Sequence, residues 1–256
     1  MNLIAQAFAW IFDRAHWTTT AILTGIPDAL TKHLALSGLS LVVAVVIALP
    51  LGLYIGHTGR GRRFAIVFSN VARALPTLGL LSILLFVIPN VPFLPDDYPA
   101  NIVVFALLAI PSVLAGAYAG LESVDRQTID AARAIGMTEW QILTTVEIPL
   151  GIALIFGGLR SAALQIIATV TIASLYGVTS LGTFITNGLA QADYVQMTAG
   201  AILVAALALL VDGILAIVQR FVVPRGVSRG PFDIRTTAFG MRLFASNPGA
   251  PMTEGN

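Results

Sequence analysis

Residues 121–149 read Leu-Glu-Ser-Val-Asp-Arg-Gln-Thr-Ile-Asp-Ala-Ala-Arg-Ala-Ile-Gly-Met-Thr-Glu-Trp-Gln-Ile-Leu-Thr-Thr-Val-Glu-Ile-Pro. Asp125 is placed to cap a helix running to Ile135. Gly136 then stops that helix in the left-handed conformation other residues resist. Thr138-Glu-Trp-Gln141 is a capping box that opens a second helix. Pro149 is expected to break this helix and start the next segment. The stretch therefore predicts helix, glycine turn, helix. Ala131, Ala132 and Ala134 keep one side of the first helix small, so another surface can come close. Trp140, Leu143 and Val146 fall on one face of the second. Such a rigid hairpin suits transmission of force from a soluble partner. A plain hairpin joining two segments fits the same geometry equally well.

The flanks of this loop are apolar. Of 256 residues, 57% are hydrophobic and 11% charged, and mean hydropathy is +0.87. A soluble domain carries roughly 25% charged residues, so too little polar material remains for a water-facing surface. Five stretches are long and apolar enough to read as membrane spans. They are Leu34 to Gly56, Phe64 to Ile88, Ala100 to Gly120, Leu150 to Tyr176 and Met197 to Val218. The second is interrupted by Asn70, Arg73 and Pro76. The first, at ~1.5 Å per residue, is about 34 Å long.

The connections differ in charge. Residues 57–63 hold Arg60, Arg62 and Arg63, the hairpin holds Arg126 and Arg133, and the tail holds Arg220, Arg225, Arg229, Arg235 and Arg242. Residues 89–99 carry four prolines with Asp96 and Asp97, and 177–196 carry Asp193 as their one charge. Basic residues concentrate on the cytoplasmic side. Placing the first, third and fifth connections inside puts ten of the fourteen Lys and Arg there. The expected topology has the N-terminus outside, five crossings and a cytoplasmic tail.

The expected organisation is an N-terminal interfacial segment over 1–33, a transmembrane region over 34–222 that includes the hairpin, and a disordered tail over 223–256. Leu3 to Phe12 is too short to span and has no basic residue before it, so it reads as an interfacial helix, or equally as a frayed end, rather than a signal peptide. Trp10 and Trp17 would then lie near the headgroups. In the third span, Gly116 and Gly120 are four apart among alanines, a pattern that lets helix backbones approach closely within a subunit or across a dimer.

Three charges fall within the spans: Arg73, Arg160 and Asp212. Counted from the cytoplasmic edge, all lie at roughly 10–16 Å depth, so they are expected to share one layer. Asp212 is expected to pair with Arg160 or Arg73, either to stabilise the bundle or to gate it. Gln165, Thr169, Thr171 and Ser174 either line a path or make hydrogen bonds between helices.

Asp130-Ala131-Ala132, three residues, Gly136, nine residues, then Val146-Glu147-Ile148-Pro149 resembles the coupling-loop signature of importer permeases. That family pattern is Glu-Ala-Ala, three residues, Gly, nine residues, Ile, any residue, Leu-Pro. Asp130 stands where Glu is usual, Val146 for Ile and Ile148 for Leu. The likeness covers roughly residues 30–225, and Gly120 to Thr138 is similar to the osmoprotectant branch. Ala74-Leu-Pro-Thr-Leu-Gly and Tyr176-Gly-Val-Thr-Ser-Leu-Gly-Thr-Phe-Ile resemble other short family stretches. The resemblance implies a methionine-importer-like permease core of an ATP-binding-cassette (ABC) importer. In it Asp130, Ala131, Ala132, Gly136 and Pro149 belong to the loop that docks on an ATPase.

The partners this implies are cytoplasmic ABC ATPase subunits carrying ATP and Mg, an extracytoplasmic binding protein, and a second permease, identical or homologous. The implied substrate is glycine betaine, choline, carnitine or proline. Methionine or another small nutrient is the alternative within transport, and a membrane enzyme or scaffold the alternative outside it.

No phosphate-binding Gly-x-x-x-x-Gly-Lys-Ser/Thr occurs, and Lys32 is the sole lysine. ATP hydrolysis is therefore expected on another chain. Cysteine is absent, which excludes thiolate sites and disulfides. His16, His33 and His57 are scattered, and no metal site or cofactor is expected in this chain. A net charge of +1 offers no basic face for nucleic acid. The expected location is the cytoplasmic membrane, crossed several times.

Overall fold

A computed structural model describes residues 2–20, 24–88 and 98–223. The expectations for the tail and for the proline-rich connection up to Asp97 lie outside the described residues. The described chain is helical throughout, without strands. Helix α1 is Leu3–Phe12, followed by a 3-10 turn, Arg14–Trp17. Helix α2 is Ile26–Thr58, α3 is Arg62–Ala74 and α4 is Thr77–Val87. Helix α5 is Tyr98–Glu122, α6 is Arg126–Ala134 and α7 is Glu139–Ile142. A π-helical turn, Leu143–Glu147, joins α7 to α8, Ile148–Val170, which tightens into a 3-10 turn at Thr171–Tyr176. Helices α9, Gly182–Ala190, and α10, Tyr194–Val222, complete the fold.

Four helical segments are long and apolar enough to cross a bilayer: α2, α5, the composite Glu139–Tyr176, and α10. The second expected span is different. Helices α3 and α4 meet at 92°. Leu75 is extended, as a residue before proline prefers. At ~1.5 Å per residue α3 is about 20 Å long and α4 about 16 Å, so neither alone crosses a core of ~30 Å. Together they form a bent unit that supplies a fifth span if it counts as one. The first span begins at Ile26 rather than Leu34, because Pro27 in its first turn starts a helix without losing a bond. The expected loop 177–196 contains α9.

Helix α5 is the centre. Two thirds of its most apolar window is buried inside the protein, against 6% for that of α10. It packs on α2 and α8, with α3 and α4 alongside. Small residues explain the closeness. A Cβ on Gly116 would lie 2.6 Å from Gly158 Cα, and one on Gly120 would lie 2.8 Å from Gly151 O. The glycine pair of α5 therefore faces glycines of α8 within this one subunit. On the other side, a Cβ on Gly52 would sit 2.5 Å from Ala117 Cβ. No larger residue fits at these crossings.

The outer faces of α2, α8 and α10 stay apolar and uncovered, with Val46, Leu154, Leu209 and Phe221 exposed. In water this would be a large liability; in a bilayer it is the expected lipid-facing or subunit-facing surface. Helix α1 lies on α10, burying Ala7 and Ile11 against Ala199 while Phe8 and Phe12 remain exposed. That two-sidedness fits a helix lying at the membrane interface.

Candidate functional site

The hairpin is built by the local signals its sequence carries. The Asp125 carboxylate accepts from Gln127 N–H at 3.0 Å and caps α6. Gly136 has φ +89°, and Met137 N–H reaches back to Ala132 O at 3.2 Å, closing the α6 C-terminus. The capping box of α7 is complete. Gln141 N–H donates to Thr138 Oγ1, and Thr138 N–H donates to Gln141 Oε1 at 2.8 Å.

Asp130 and Ala131 are exposed, and Ala132 is buried. Ile135 is 80% and Trp140 72% exposed. The apolar face expected of the second helix does not form as a unit. Ile142 is fully buried while Trp140, two positions earlier in α7, is exposed, and Leu143 and Val146 are half-buried. An outward surface of Asp130, Ala131, Ile135 and Trp140 is left.

Pro149 does not break the helix. It sits in the first turn of α8, directly after the π turn, and the helical path from Glu139 onward is continuous. Ile148 N–H bonds to Leu143 O, five residues back. The wider ring moves backbone carbonyls off the line where a proline would clash, as π bulges do. Thr144 and Thr145 hydroxyls donate to Trp140 O and Gln141 O.

Ionic contacts fix the hairpin to the bundle. Arg133 on α6 donates Nε to Glu139 Oε1 at 2.8 Å and Nη2 to Glu139 Oε2 at 3.0 Å. Donation to Glu139 holds the Arg133 guanidinium above its already high range. Glu139 Oε2 lies 3.3 Å from His57 Nε2, at the end of α2. His57 Nδ1 faces Glu147 Oε2 at 2.5 Å, and Glu147 is only 3% exposed. One histidine thus touches carboxylates at both ends of the α7–π segment. A cavity of about 320 Å³ opens beside it, lined by Gly56, Arg62, Glu122, Arg126 and Arg133 among others. His57 and Glu147 were not legible as partners. The only sequence sign was a carboxylate in an apolar stretch, and a lone histidine carries no address.

Of the three charges expected in one layer, the structure joins two. Arg160 on α8 grips Asp212 on α10 with Nε and Nη2, one to each carboxylate oxygen. Such a bidentate fork is the strongest ion-pair geometry. Arg73 lies near the end of α3, exposed, and among the described residues it makes no ion pair. The break at Pro76 turns α3 aside from the straight path on which the common layer was reckoned.

Gln165 Oε1 accepts from Ser112 Oγ at 3.1 Å, bridging α5 and α8. The hydroxyls of Thr169, Thr171 and Ser174 bond to backbone carbonyls of Gln165, Ala168 and Thr171 on their own helix. His33 Nε2 donates to Ile167 O at 3.0 Å, so this histidine joins α2 to α8. Among the described residues no group of three or more His, Asp or Glu is placed to hold a metal ion.

On the opposite end from the hairpin, α1, α9 and α10 enclose a second cavity, of about 250 Å³. Trp10 stacks on His16 with centroids 3.8 Å apart and meets Phe184 edge-on at 5.4 Å. These rings come from distant segments, so the order of residues does not mark them as neighbours.

Residues 48–225 match the family described as binding-protein-dependent transport system inner membrane component. The glycine betaine/carnitine/choline transport system permease protein OpuCB of Bacillus subtilis is 33% identical over 196 residues, 77% of this chain and 88% of that protein. The carnitine transport permease protein OpuCB of Listeria monocytogenes is 32% identical over 197 residues, 77% and 87% respectively. An inward-facing structure of the MetNI methionine ABC transporter superposes with a TM-score of 0.66 at 20% identity, over 78% of this chain and 96% of that one. At that identity the likeness is one of fold.

Proposed function

The chain belongs to the binding-protein-dependent transport system inner membrane components, and we propose that it is the permease of an ATP-driven importer for methylated-ammonium osmoprotectants. Glycine betaine, choline and carnitine are the substrates. The relatives that are identical at about a third of the aligned positions carry these solutes in their names. The likeness to a methionine importer is shared architecture and gives methionine no comparable support.

The observation that carries the coupling role is the hairpin. We read its exposed Asp130, Ala131, Ile135 and Trp140 as the docking face. Behind that face, Arg133, Glu139, His57 and Glu147 tie it to α2 and α8. An ATPase subunit pressing on α6 would therefore move the inner ends of two spanning helices together. The composite helix from Glu139 to Tyr176 carries the push without a hinge loop. ATP and Mg bind to the partner ATPase.

A second permease, identical or homologous, covers the apolar faces of α10 and α2, and a binding protein delivers solute from outside. The N-terminus faces outward and the hairpin inward, following the distribution of basic residues. The Arg160–Asp212 fork holds α10 to α8 at membrane depth. Gln165, Thr169, Thr171 and Ser174 set the polarity of the α8 outer half.

The test is uptake into proteoliposomes holding the permease, its ATPase and its binding protein. Radiolabelled choline should accumulate with ATP, and glycine betaine or carnitine should compete. Competition by methionine without competition by betaine would overturn the substrate assignment. Gly136→Val, which forces a β-branched residue to φ +89°, should lose co-purification of the ATPase. Retention of the ATPase by this variant would overturn the coupling assignment.

A further inference from the structure

The cavity among α1, α9 and α10 has the chemistry of a small-cation site. Its lining includes Trp10, His16, Phe184, Asn187, Asp193 and Gln196, and among the described residues no Lys or Arg. Asp193 is thus the one carboxylate of that lining, and it brings negative charge to the pocket. Trp10 and Phe184 stand at 70° to each other, so they form two walls of a corner. His16 covers one face of Trp10 at an interplanar angle of 19°. It is locked there, because Nδ1–H donates to Trp10 O at 2.9 Å. At about 250 Å³ the space is smaller than the ~300–1,000 Å³ of drug-sized sites, and suits a small solute.

We propose that this pocket binds a methylated ammonium group, with Trp10 packing on its methyls, the buried Phe184 backing that ring and Asp193 balancing its charge. A quaternary ammonium has no N–H to donate. Aromatic faces and a carboxylate are therefore the partners that recognise it. Asn187 and Gln196 supply neutral amides for a hydroxyl or carboxylate tail. Asp193 caps α10 through Oδ1 alone, accepting from Val195 N–H at 3.0 Å and Gln196 N–H at 3.1 Å. That capping needs no charge, since asparagine caps as well as aspartate. The identity of the solute rests on the osmoprotectant reading, and on its orientation the pocket opens outward. It is then a waypoint on this chain for substrate released from the binding protein. A zwitterionic lipid carries a similar head group, and the test separates the two sources.

The full-length protein is placed in nanodiscs of phosphatidylglycerol, which has no ammonium group. Choline chloride is titrated and binding read by saturation-transfer NMR on the methyl protons. The comparison ligand is 3,3-dimethylbutan-1-ol, which has the same shape without the charge. Choline should saturate and bind at least tenfold tighter than the alcohol. Asp193→Asn should weaken choline about tenfold, the size of one charge pair in a part-buried site, with the melting temperature unchanged. Trp10→Phe should weaken it several-fold while keeping a ring in place.

Equal binding of choline and the alcohol, or an Asp193→Asn variant with unaltered affinity and stability, would overturn the proposal. Nanodiscs of phosphatidylcholine, whose head group is a trimethylammonium, that abolish choline binding would assign the pocket to lipid and overturn the waypoint role. No arm needs transport. A permease that moved methionine and not choline would remove the osmoprotectant reading and leave these binding curves as they stand.

Discussion

Replacing His57 by leucine tests the tie between hairpin and bundle. Glu147 is 3% exposed, and its hydrogen bond among the described residues is the one with His57 Nδ1 at 2.5 Å. Leucine leaves that carboxylate buried without a partner. Breaking a buried pair in this way costs ~3–5 kcal/mol, more than the pair contributes when intact. For a domain of this size that is a fall in melting temperature of roughly 10 °C. Changing both residues, His57→Leu with Glu147→Leu, removes the charge with its partner and should recover most of the loss. The cycle should then show a coupling of ~2–4 kcal/mol. Glu139 is 56% exposed on its side chain, so its share in the effect is small. The assay is thermal unfolding of the purified protein in mild detergent, followed by circular dichroism, for wild type, both single variants and the double. A His57→Leu protein as stable as wild type would refute the reasoning. So would a double variant whose loss equals the sum of the singles.

The glycine crossing gives a sharper contrast. Gly116→Ala places a methyl 2.6 Å from Gly158 Cα and should cost ~1–3 kcal/mol, while Gly157→Ala, with nothing within 4 Å, should cost nothing or gain slightly, as thermal unfolding would read. Arg160→Asp or Asp212→Arg alone should cut the yield of folded protein several-fold, because each leaves like charges facing at membrane depth. The two together should restore at least half the loss in size-exclusion profiles. Thr138→Ala removes the acceptor of the capping box and should destabilise the hairpin by ~1 kcal/mol, read as faster amide exchange at Gln141.

Much of this was written in the order of residues, and what failed to show had a common cause. The cap at Asp125, the turn at Gly136 and the box at Thr138 each depend on residues within a few positions of one another. Local rules therefore reach them. The four unbroken spans follow from apolar length alone. The bent α3–α4 unit was marked by Pro76, but a proline does not state an angle. That angle depends on where α4 docks, and Tyr176 helps fix it by meeting Ser82 across 94 residues. The Arg160–Asp212 fork was reachable by counting depth along straight helices. The same count placed Arg73 in the layer and was defeated by the bend. The aromatic corner of Trp10 and Phe184 required knowing that α1 folds back on α9 and α10.

Pro149 shows how a local rule and the fold reach a compromise. A proline after an α-turn removes one donor and crowds the carbonyl four residues earlier, at a cost of ~3 kcal/mol. The chain avoids the clash by widening one turn rather than by stopping the helix. The widened turn adds a residue to the helical path, and this changes which side chains face inward. Glu147 is brought into the bundle beside His57, and Trp140 is left facing outward. The same residue thus sets the buried latch and the exposed docking face. A Pro149→Ala change would remove the reason for the π turn. A regular helix through this segment would move Glu147 by about 100° around its axis. Its carboxylate would leave His57, and the face around Ile135 and Trp140 would no longer be held at its present angle. The variant should then be as helical as wild type yet bind its ATPase poorly. Helical content unchanged with full ATPase binding would show that the proline does not set the face.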